Sequence, residues 1–492
     1  MDAFGAVINQ INSVLWSYVL IVLLIGLGLY FTFRTGFIQI RYAGEMFRVL
    51  TEGAGSKPKD KEISSFQAFC VSTASRVGVG NIAGVAIAIV LGGPGAVFWM
   101  WIVAIVGAAT GFVESTLAQI YKIPKEGGAF HGGPAYYIQN ALHMPNLAKL
   151  FSLLLLTTFA LVYNSLQAST ITLSLESAFG WDRAVVGVVI AILAGLVICG
   201  GAQTVAKVAE KMVPIMAGIY LVITMVVMVM NVEKLPSVIG LIISNAFVPQ
   251  AAVAGGVGAS IMNGIKRGLF SNEAGEGSVP NAAATAAVSH PVKQGLTQAF
   301  GVYVDTLLIC SASAFLVLLS GVYEIGGKVT GIALVQKALS AEVGGWAISF
   351  IAFMILMFAF SSLVGNYYYG EINLAFLSGS KTALYVFRIL VIAMILFGSV
   401  ASLPLVWDLA DLFMAFLATT NLYAIARLFK FSKIALDDYQ AQKDAGADPV
   451  FNPSFSGRGA GLGRRAEKEI RPVNFRYKFL RFPRIKPGKT IS

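Results

Sequence analysis

Long apolar stretches recur along this chain, and each is long enough to cross a bilayer as a helix of about 20 residues. A backbone in lipid must satisfy its own hydrogen bonds, and the alternating pattern of membrane-barrel strands is absent from the sequence, so we predict helices. Short helices outside the spans are predicted near 236–249 and 330–342. Eleven spans are predicted, near residues 16–34, 64–90, 95–121, 147–176, 184–202, 211–231, 251–289, 295–320, 345–377, 382–402 and 404–428.

Composition supports this pattern. Apolar residues make up 57% of the 492 residues and charged residues only 12%, and the mean hydropathy is +0.74. A soluble globular chain carries about 25% charged residues. The composition therefore excludes a soluble domain and predicts an all-α membrane protein.

The distribution of positive charge predicts the orientation, because Lys and Arg near span ends favour the cytoplasmic side. The connection between the first two spans is placed inside by Arg34, Arg41, Arg48, Lys57, Lys59 and Lys61. An odd number of spans then puts the N-terminus outside and the C-terminus inside the cell membrane. Residues 431–492 form a basic tail, expected to be flexible and attracted to anionic lipid headgroups in the bilayer rather than to nucleic acid.

The second predicted span is interrupted by "ASRVGVGNIAG" at 74–84. Glycines alone would fit a tight packing face between helices. Arg76 and Asn81 are costly in hydrocarbon, however, and an ionisable group there indicates a functional site. We therefore favour an unwound segment that lines a cavity.

A second interruption, "NGIKRGLFSNEAGEGSVPNAAATAA" at 263–287, lies in the sixth span counted from the one that contains Arg76. Paired breaks in corresponding positions of two five-span halves are typical of secondary transporters built from inverted repeats. The chain then divides into an extra N-terminal helix with its basic connection (1–63), a first repeat (64–231), a second repeat (232–430) and the tail (431–492).

Helix breaks leave backbone groups without intrahelical partners, and these groups predict the ligand. Free N–H groups suit a carboxylate, and free carbonyls suit an ammonium or Na⁺. An amino acid together with a hard cation satisfies both kinds. Ser361 and Ser362 lie in an apolar span and are candidates to complete oxygen coordination of Na⁺. The alternative is that both hydroxyls bond back to their own helix.

Several segments resemble the alanine or glycine:cation symporter family over about residues 15–430. They are "GGPGAVFWMWIVAIVG" (92–107), "SRVGVGNIAGVA", "GGPAYYIQ", "KRGLFSNEAGEGSVPNAAA" and "YYYGE". The resemblance implies a leucine-transporter-like fold, a 5+5 inverted repeat with broken first and sixth core helices, here with one extra N-terminal helix. It also implies Na⁺-coupled uptake of a small neutral amino acid, with Na⁺ as coupling ion and no organic cofactor.

The resemblance also implies three groups of site residues. The first break would hold the substrate carboxylate at Gly78, Val79, Gly80 and Asn81, with Gln167 as a further contact. The second break would turn its carbonyls to the ammonium, with Phe270 as a lid, at Phe270, Ser271, Asn272 and Glu273. The sodium ligands would be the hydroxyls of Ser361 and Ser362 and the carbonyls of Ala74 and Val77.

Three positions depart from the family pattern. Val79 stands where threonine is expected, and Glu276 stands where an apolar residue is usual. Asn366 stands where alanine-type members tend to carry tryptophan, and a small amide enlarges the pocket and adds a donor and an acceptor. We therefore predict that Asn366 borders the substrate side chain and admits glutamine as well as alanine or glycine. The alternative is that Asn366 faces a neighbouring helix.

Other functions remain open at the level of sequence. Coupling to protons would use Glu276, Glu273 or Asp305. A channel would need repeated filter loops or charge rings, which the sequence does not show. A membrane-embedded enzyme would draw acid–base groups from the acidic residues in the spans, with no nucleophile or metal motif beside them. Those residues are Glu114, Asp305, Glu371, Asp408 and Asp411.

Overall fold

The computed structural model of the chain describes residues 2–55, 62–124, 130–247 and 257–452. Two short antiparallel strands, β1 (Ile123–Pro124) and β2 (Phe130–His131), pair with each other. The helices are α1 (2–34), α2 (Ile38–Arg41), α3 (Ala43–Gly55), α4 (Ser65–Arg76), α5 (Gly80–Gly92), α6 (Gly95–Ile120), α7 (Pro134–Ala141), α8 (Pro145–Phe179), α9 (Arg183–Cys199), α10 (Gly201–Met230), α11 (Leu235–Asn245), α12 (Val257–Asn272), α13 (Val279–Thr285), α14 (Pro291–Ser320), α15 (Gly331–Val343), α16 (Trp346–Leu377), α17 (Lys381–Val400) and α18 (Leu403–Asp444).

Among the described residues, eight helices are long and apolar enough to cross a bilayer: α1, α6, α8, α10, α14, α16, α17 and α18. The bent pair α4 and α5 makes a ninth, with 50° between its halves. The count of eleven also requires α9, which has 17 residues, and the pair α12 and α13. That count, the inverted repeat and the terminal orientation stay predictions. The surface helices expected near 236–249 and 330–342 correspond to α11 and α15.

The bounds of α4 and of the first break follow from local features. Ser64 begins α4 with a capping box, since its hydroxyl accepts the Gln67 N–H and its own N–H donates to the Gln67 side chain. The helix ends at Arg76, and Val77 leaves helical geometry with ψ of 86°. Helical structure resumes at Gly80, in a widened π-type turn that runs to Gly84. Such turns leave the usual hydrogen-bond ladder and are frequent at functional sites.

The second break uses left-handed backbone. Glu273, Gly275 and Gly277 have φ of 56°, 101° and 80° between the end of α12 and the start of α13. Glycine adopts such angles at little cost, whereas a residue with a Cβ does so with strain. Pro280 lies in the first turn of α13, where its missing N–H costs no hydrogen bond. The spacing of Gly, Glu and Pro thus sets both ends of this break.

Packing brings the breaks into the centre of the described molecule. Helix α4 packs against α10 and α16, and α12 packs against α6 and α5. The last helix continues to Asp444, beyond the predicted end of the span near 428, so the tail predicted at 431–492 begins inside a helix. Residues 453–492 of that tail, and Lys57, Lys59 and Lys61 of the basic connection, lie outside the described residues.

Candidate functional site

The peptide N–H groups of the first break are held by two side-chain amides. The Gly78 N–H donates to Asn81 Oδ1 at 2.9 Å, and the Val79 N–H donates to Gln167 Oε1 at 3.1 Å. All four residues are buried. Gln167 belongs to α8, so one hydrogen bond ties the break to a different span. Two side-chain amide oxygens thus satisfy these two peptide N–H groups within the protein.

Asp305 joins the two breaks. Its Oδ1 accepts from the Asn81 amide at 2.5 Å, and its Oδ2 accepts from the Ser271 hydroxyl at 2.8 Å. Thr306 donates to the same oxygen at 2.8 Å and accepts from Asn272 at 3.3 Å. Asp305 and Thr306 lie in another widened turn, Tyr303–Cys310 of α14. Three hydrogen bonds make a fully buried carboxylate tolerable there.

Glu273 forms a second bridge between the breaks. Its Oε1 lies 2.6 Å from the Ser75 hydroxyl at the end of α4, and its Oε2 accepts from Ser278 at 2.6 Å. The Ser75 hydroxyl also lies 2.7 Å from Asn366 Oδ1. The Asn366 amide donates in turn to Asn164 Oδ1 at 3.1 Å. Asn366 therefore lies beside the first break, and both of its polar groups are bonded to protein.

The two serines of α16 meet a backbone carbonyl of α4. Ser361 Oγ and Ser362 Oγ lie 3.3 and 3.0 Å from the Ala74 carbonyl oxygen. Both also lie within reach of the Phe358 carbonyl of their own helix, at 2.8 and 3.2 Å. The two hydroxyls thus bond back to their own helix and also contact α4, and their role as sodium ligands stays a prediction. Val77, the other predicted carbonyl ligand, is buried at the end of α4.

Phe270 packs against the first break. A Cβ built at Gly80 would lie 2.8 Å from the ring of Phe270, so only glycine leaves room for it. The ring centroid of Phe270 lies 4.7 Å from that of Tyr163 and 4.9 Å from that of Trp407. Aromatic packing on both sides fixes the ring in this position.

Two further charged residues lie near the breaks. Arg76 is 2% exposed and donates from Nη1 to the Gln298 carbonyl at 3.2 Å. Its Nε and Nη2 have no hydrogen-bond partner among the described residues. Glu276 is fully buried and accepts from the Tyr163 hydroxyl at 3.3 Å, while its Oε1 has no partner in the described part of the chain.

Comparison with known proteins identifies the chain. Residues 1–453 match the model of the sodium:alanine symporter family. The chain belongs to that family. It is 53% identical over 445 residues to a probable sodium/glutamine symporter, GlnT, of Bacillus subtilis (strain 168). The alignment covers 90% of this chain and 92% of the relative.

Two further relatives are a bacterial amino-acid carrier and a sodium/alanine symporter. The amino-acid carrier protein AlsT of Bacillus subtilis (strain 168) is 50% identical over 449 residues, 91% of this chain and 95% of that one. The sodium/alanine symporter AgcS of Methanococcus maripaludis is 35% identical over 433 residues, 86% and 95% of the two chains. A crystal structure of a manganese transporter from Eremococcus coleocola aligns with a TM-score of 0.49 at 14% identity, covering 78% and 82%.

Membership in the sodium:alanine symporter family, together with the apolar helices, makes the chain an integral multi-pass membrane protein and a transporter. The chain is therefore not a membrane-embedded enzyme, because its family and its relatives are transporters. Which residues bind substrate and ion stays a prediction within the family.

The structure brings the predicted site residues of this symporter together and adds partners. Residues from both breaks, Gln167, Asn366 and the two serines all lie on α4, α5 and the helices that pack around them. Sequence reasoning missed Ser75, Ser278 and Asn164, which are ordinary polar residues within their segments. Asp305 was visible as a lone carboxylate in the apolar run "YVDTLLIC", but its role as a bridge was not.

Proposed function

We propose that the chain carries a neutral α-amino acid into the cell together with Na⁺, by alternating access, with glutamine and alanine as its substrates. The observation that carries this proposal is that a serine hydroxyl and a glutamine amide oxygen both lie against Gly78. A Cβ built there would overlap Ser362 Oγ and would lie 3.1 Å from Gln167 Oε1. The proposed sodium hydroxyls and the proposed carboxylate site therefore adjoin at one glycine.

The substrate carboxylate would replace an amide oxygen of the protein. A carboxylate oxygen is a stronger acceptor than an amide oxygen, because charge-assisted hydrogen bonds are about twice as strong as neutral ones. It would take the Val79 N–H from Gln167 and free the Gln167 side chain to turn towards the ligand. Asn81 would stay in place, since Asp305 holds its amide from behind.

Sodium would bind between α4 and α16. The hydroxyls of Ser361 and Ser362 and the Ala74 carbonyl are neutral oxygen ligands of the kind that hard cations prefer. An ion there would join the end of α4 to α16 and fix the break in the geometry that binds the carboxylate. Each ligand would then raise the affinity for the other by the same factor.

Glutamine and alanine are proposed because the similar proteins named above carry these two substrates in their names. Asn366 is compatible with glutamine as a substrate, because its small amide would occupy less space at the first break than the indole that alanine-type members tend to carry.

Uptake of labelled glutamine and alanine into proteoliposomes tests the proposal. We expect uptake to need an inward Na⁺ gradient, and the Ser361→Ala/Ser362→Ala variant to need much more Na⁺ for half-maximal rate. Ser399→Ala is the matched control, because Ser399 is a buried serine bonded back to Ile395 of its own helix, α17. Equal uptake in choline buffer, or an equal effect of Ser399→Ala, contradicts the sodium site.

Proton coupling is the second candidate, and Glu276 favours it. A buried carboxyl oxygen without a partner is costly as an anion, so Glu276 is better suited to carry a proton at some stage of transport. Uptake driven by a pH gradient without Na⁺, and lost in Glu276→Gln, would establish this mechanism in place of sodium coupling.

A further inference from the structure

A second polar cluster lies beside Phe270, outside the site described above. It consists of Lys266, Arg267, Trp407 and Asp411, which we call the outer cluster. Arg267 Nη2 lies 2.7 Å from Asp411 Oδ2, and Lys266 Nζ lies 3.3 Å from the same oxygen. The Arg267 guanidinium also lies 4.3 Å from the ring centre of Trp407. Arg267 and Asp411 are each 4% exposed.

Most of the polar atoms of this cluster are left without hydrogen bonds. Arg267 Nε and Nη1, Trp407 Nε1 and Asp411 Oδ1 are all buried and have no partner among the residues that the structure describes. Buried polar groups are rarely unpaired, and each one needs an explanation such as water, an ion or a ligand. Here three donor atoms and one acceptor remain on three residues, of which Arg267 contacts both Asp411 and Trp407.

The presence of both unpaired donors and an unpaired acceptor indicates the chemistry of the ligand. A simple anion would satisfy the donors and leave Asp411 Oδ1 unpaired, and a simple cation would do the reverse. A zwitterion carries both an acceptor and a donor at adjacent positions. We propose that the outer cluster is a second amino-acid site, in which Arg267 and Trp407 bind the α-carboxylate and Asp411 binds the α-ammonium group.

The position of the cluster gives this site a role. Trp407 lies near the beginning of α18, and Arg267 lies in the last turns of α12, ahead of the second break; the predicted orientation places the beginnings of both helices towards the exterior. Trp407 contacts Phe270, and Phe270 contacts the first break at Gly80. An amino acid in the outer cluster would therefore wait on the far side of Phe270 from the inner site. This assignment rests on the proposed function for the class of substrate.

Binding stoichiometry tests the assignment. Labelled glutamine is titrated onto the purified full-length chain in lipid nanodiscs at saturating Na⁺. We expect two molecules per chain in the wild type and one in Arg267→Gln, in which Lys266 still pairs with Asp411. Trp407→Phe keeps the aromatic contact and removes one donor, so it should weaken one of the two sites about threefold to tenfold.

Two further variants separate the sites. Trp101→Phe is the matched control, because its indole already donates to Ser311 at 2.8 Å outside the cluster, and it should leave both sites unchanged. Gln167→Leu removes the inner contact and should leave one site that is still sensitive to Trp407→Phe.

A wild-type chain that binds one glutamine, with affinity unchanged in Arg267→Gln and Trp407→Phe, overturns the outer site and leaves the proposed function intact; water then fills the cluster. A chain that binds no amino acid overturns both.

Discussion

The side-chain amide of Asn81 lies 2.5 Å from the carboxylate of Asp305, although 224 residues separate them in the chain. The same asparagine accepts the Gly78 N–H with its other amide atom. Asn81 thus orients a peptide group of the first break from an anchor in α14. Because Asp305 also accepts from Ser271, this carboxylate links the two breaks.

Replacing Asn81 with leucine should abolish substrate binding while the protein still folds. The substitution leaves the Gly78 N–H without its acceptor and removes one of three hydrogen bonds from a buried carboxylate, at a cost of about 1.5–3 kcal/mol. Calorimetric titration and thermal melting measure the two effects. Asn373→Leu is the control, because Asn373 is a buried asparagine bonded to Asn281 and should lose stability but keep binding. Normal affinity in Asn81→Leu would contradict its place in the site.

Gly78→Ala should stop transport. The added methyl group overlaps Ser362 Oγ and crowds Gln167 Oε1, so it disturbs the proposed ion and carboxylate sites together. Uptake in proteoliposomes measures the effect, which we expect to exceed a tenfold loss of rate. Gly26→Ala adds the same methyl group where the structure has no atom within 4 Å, and it should transport normally. If Gly78→Ala keeps full activity, the two sites do not meet at this glycine.

Asn366→Leu should weaken the binding of glutamine and the binding of alanine to the same extent. Both polar groups of the Asn366 amide are bonded to Ser75 and Asn164, so we expect the residue to hold the end of α4 in position for either substrate. The loss of such bonds corresponds to about 0.5–1.5 kcal/mol each, or roughly a twofold to tenfold weakening. Competition against labelled alanine uptake compares the two substrates. A selective loss of glutamine would instead indicate direct contact between Asn366 and the glutamine side chain.

Acid should weaken the interactions of Glu45, which pairs with Arg48 of its own helix, α3, and with the end of α18. The Arg48 side chain, hydrogen-bonded to Glu45, lowers the pKa of Glu45 to about 2, and Tyr439 and Lys443 add to this effect. Because the folded-state pKa is below the ordinary value of 4.5, the stabilisation is complete above pH 4.5 and is lost as the pH falls towards 2.

Melting temperatures against pH test this contact. Glu45→Gln should be less stable than the wild type near neutral pH by up to about 1 kcal/mol, since the pair is partly exposed. The difference should shrink as the pH falls below 4.5. The exposed residue Glu176 provides the control variant Glu176→Gln, which should melt like the wild type across this range. A pH-independent difference would show that Glu45 acts through packing rather than charge.

The sequence by itself determined the class of protein, the two breaks and most of the residues proposed to bind. Apolar length, the clustering of glycine with charge, and the positions of Pro280 and Ser64 are local signals, because each acts through the backbone of its own segment. The motifs also carried the family resemblance, which the comparisons confirmed.

Only the tertiary structure decided which partners satisfy those residues. Asp305 bridges the breaks, Glu273 joins Ser75 to Ser278, and Asn366 is paired with Asn164. Apart from Glu273 and Ser278, which are five residues apart, these contacts join residues that are distant in sequence, so no spacing or periodicity reports them. A buried polar group must find a partner wherever the packing of helices supplies one, and that packing is a property of the whole fold.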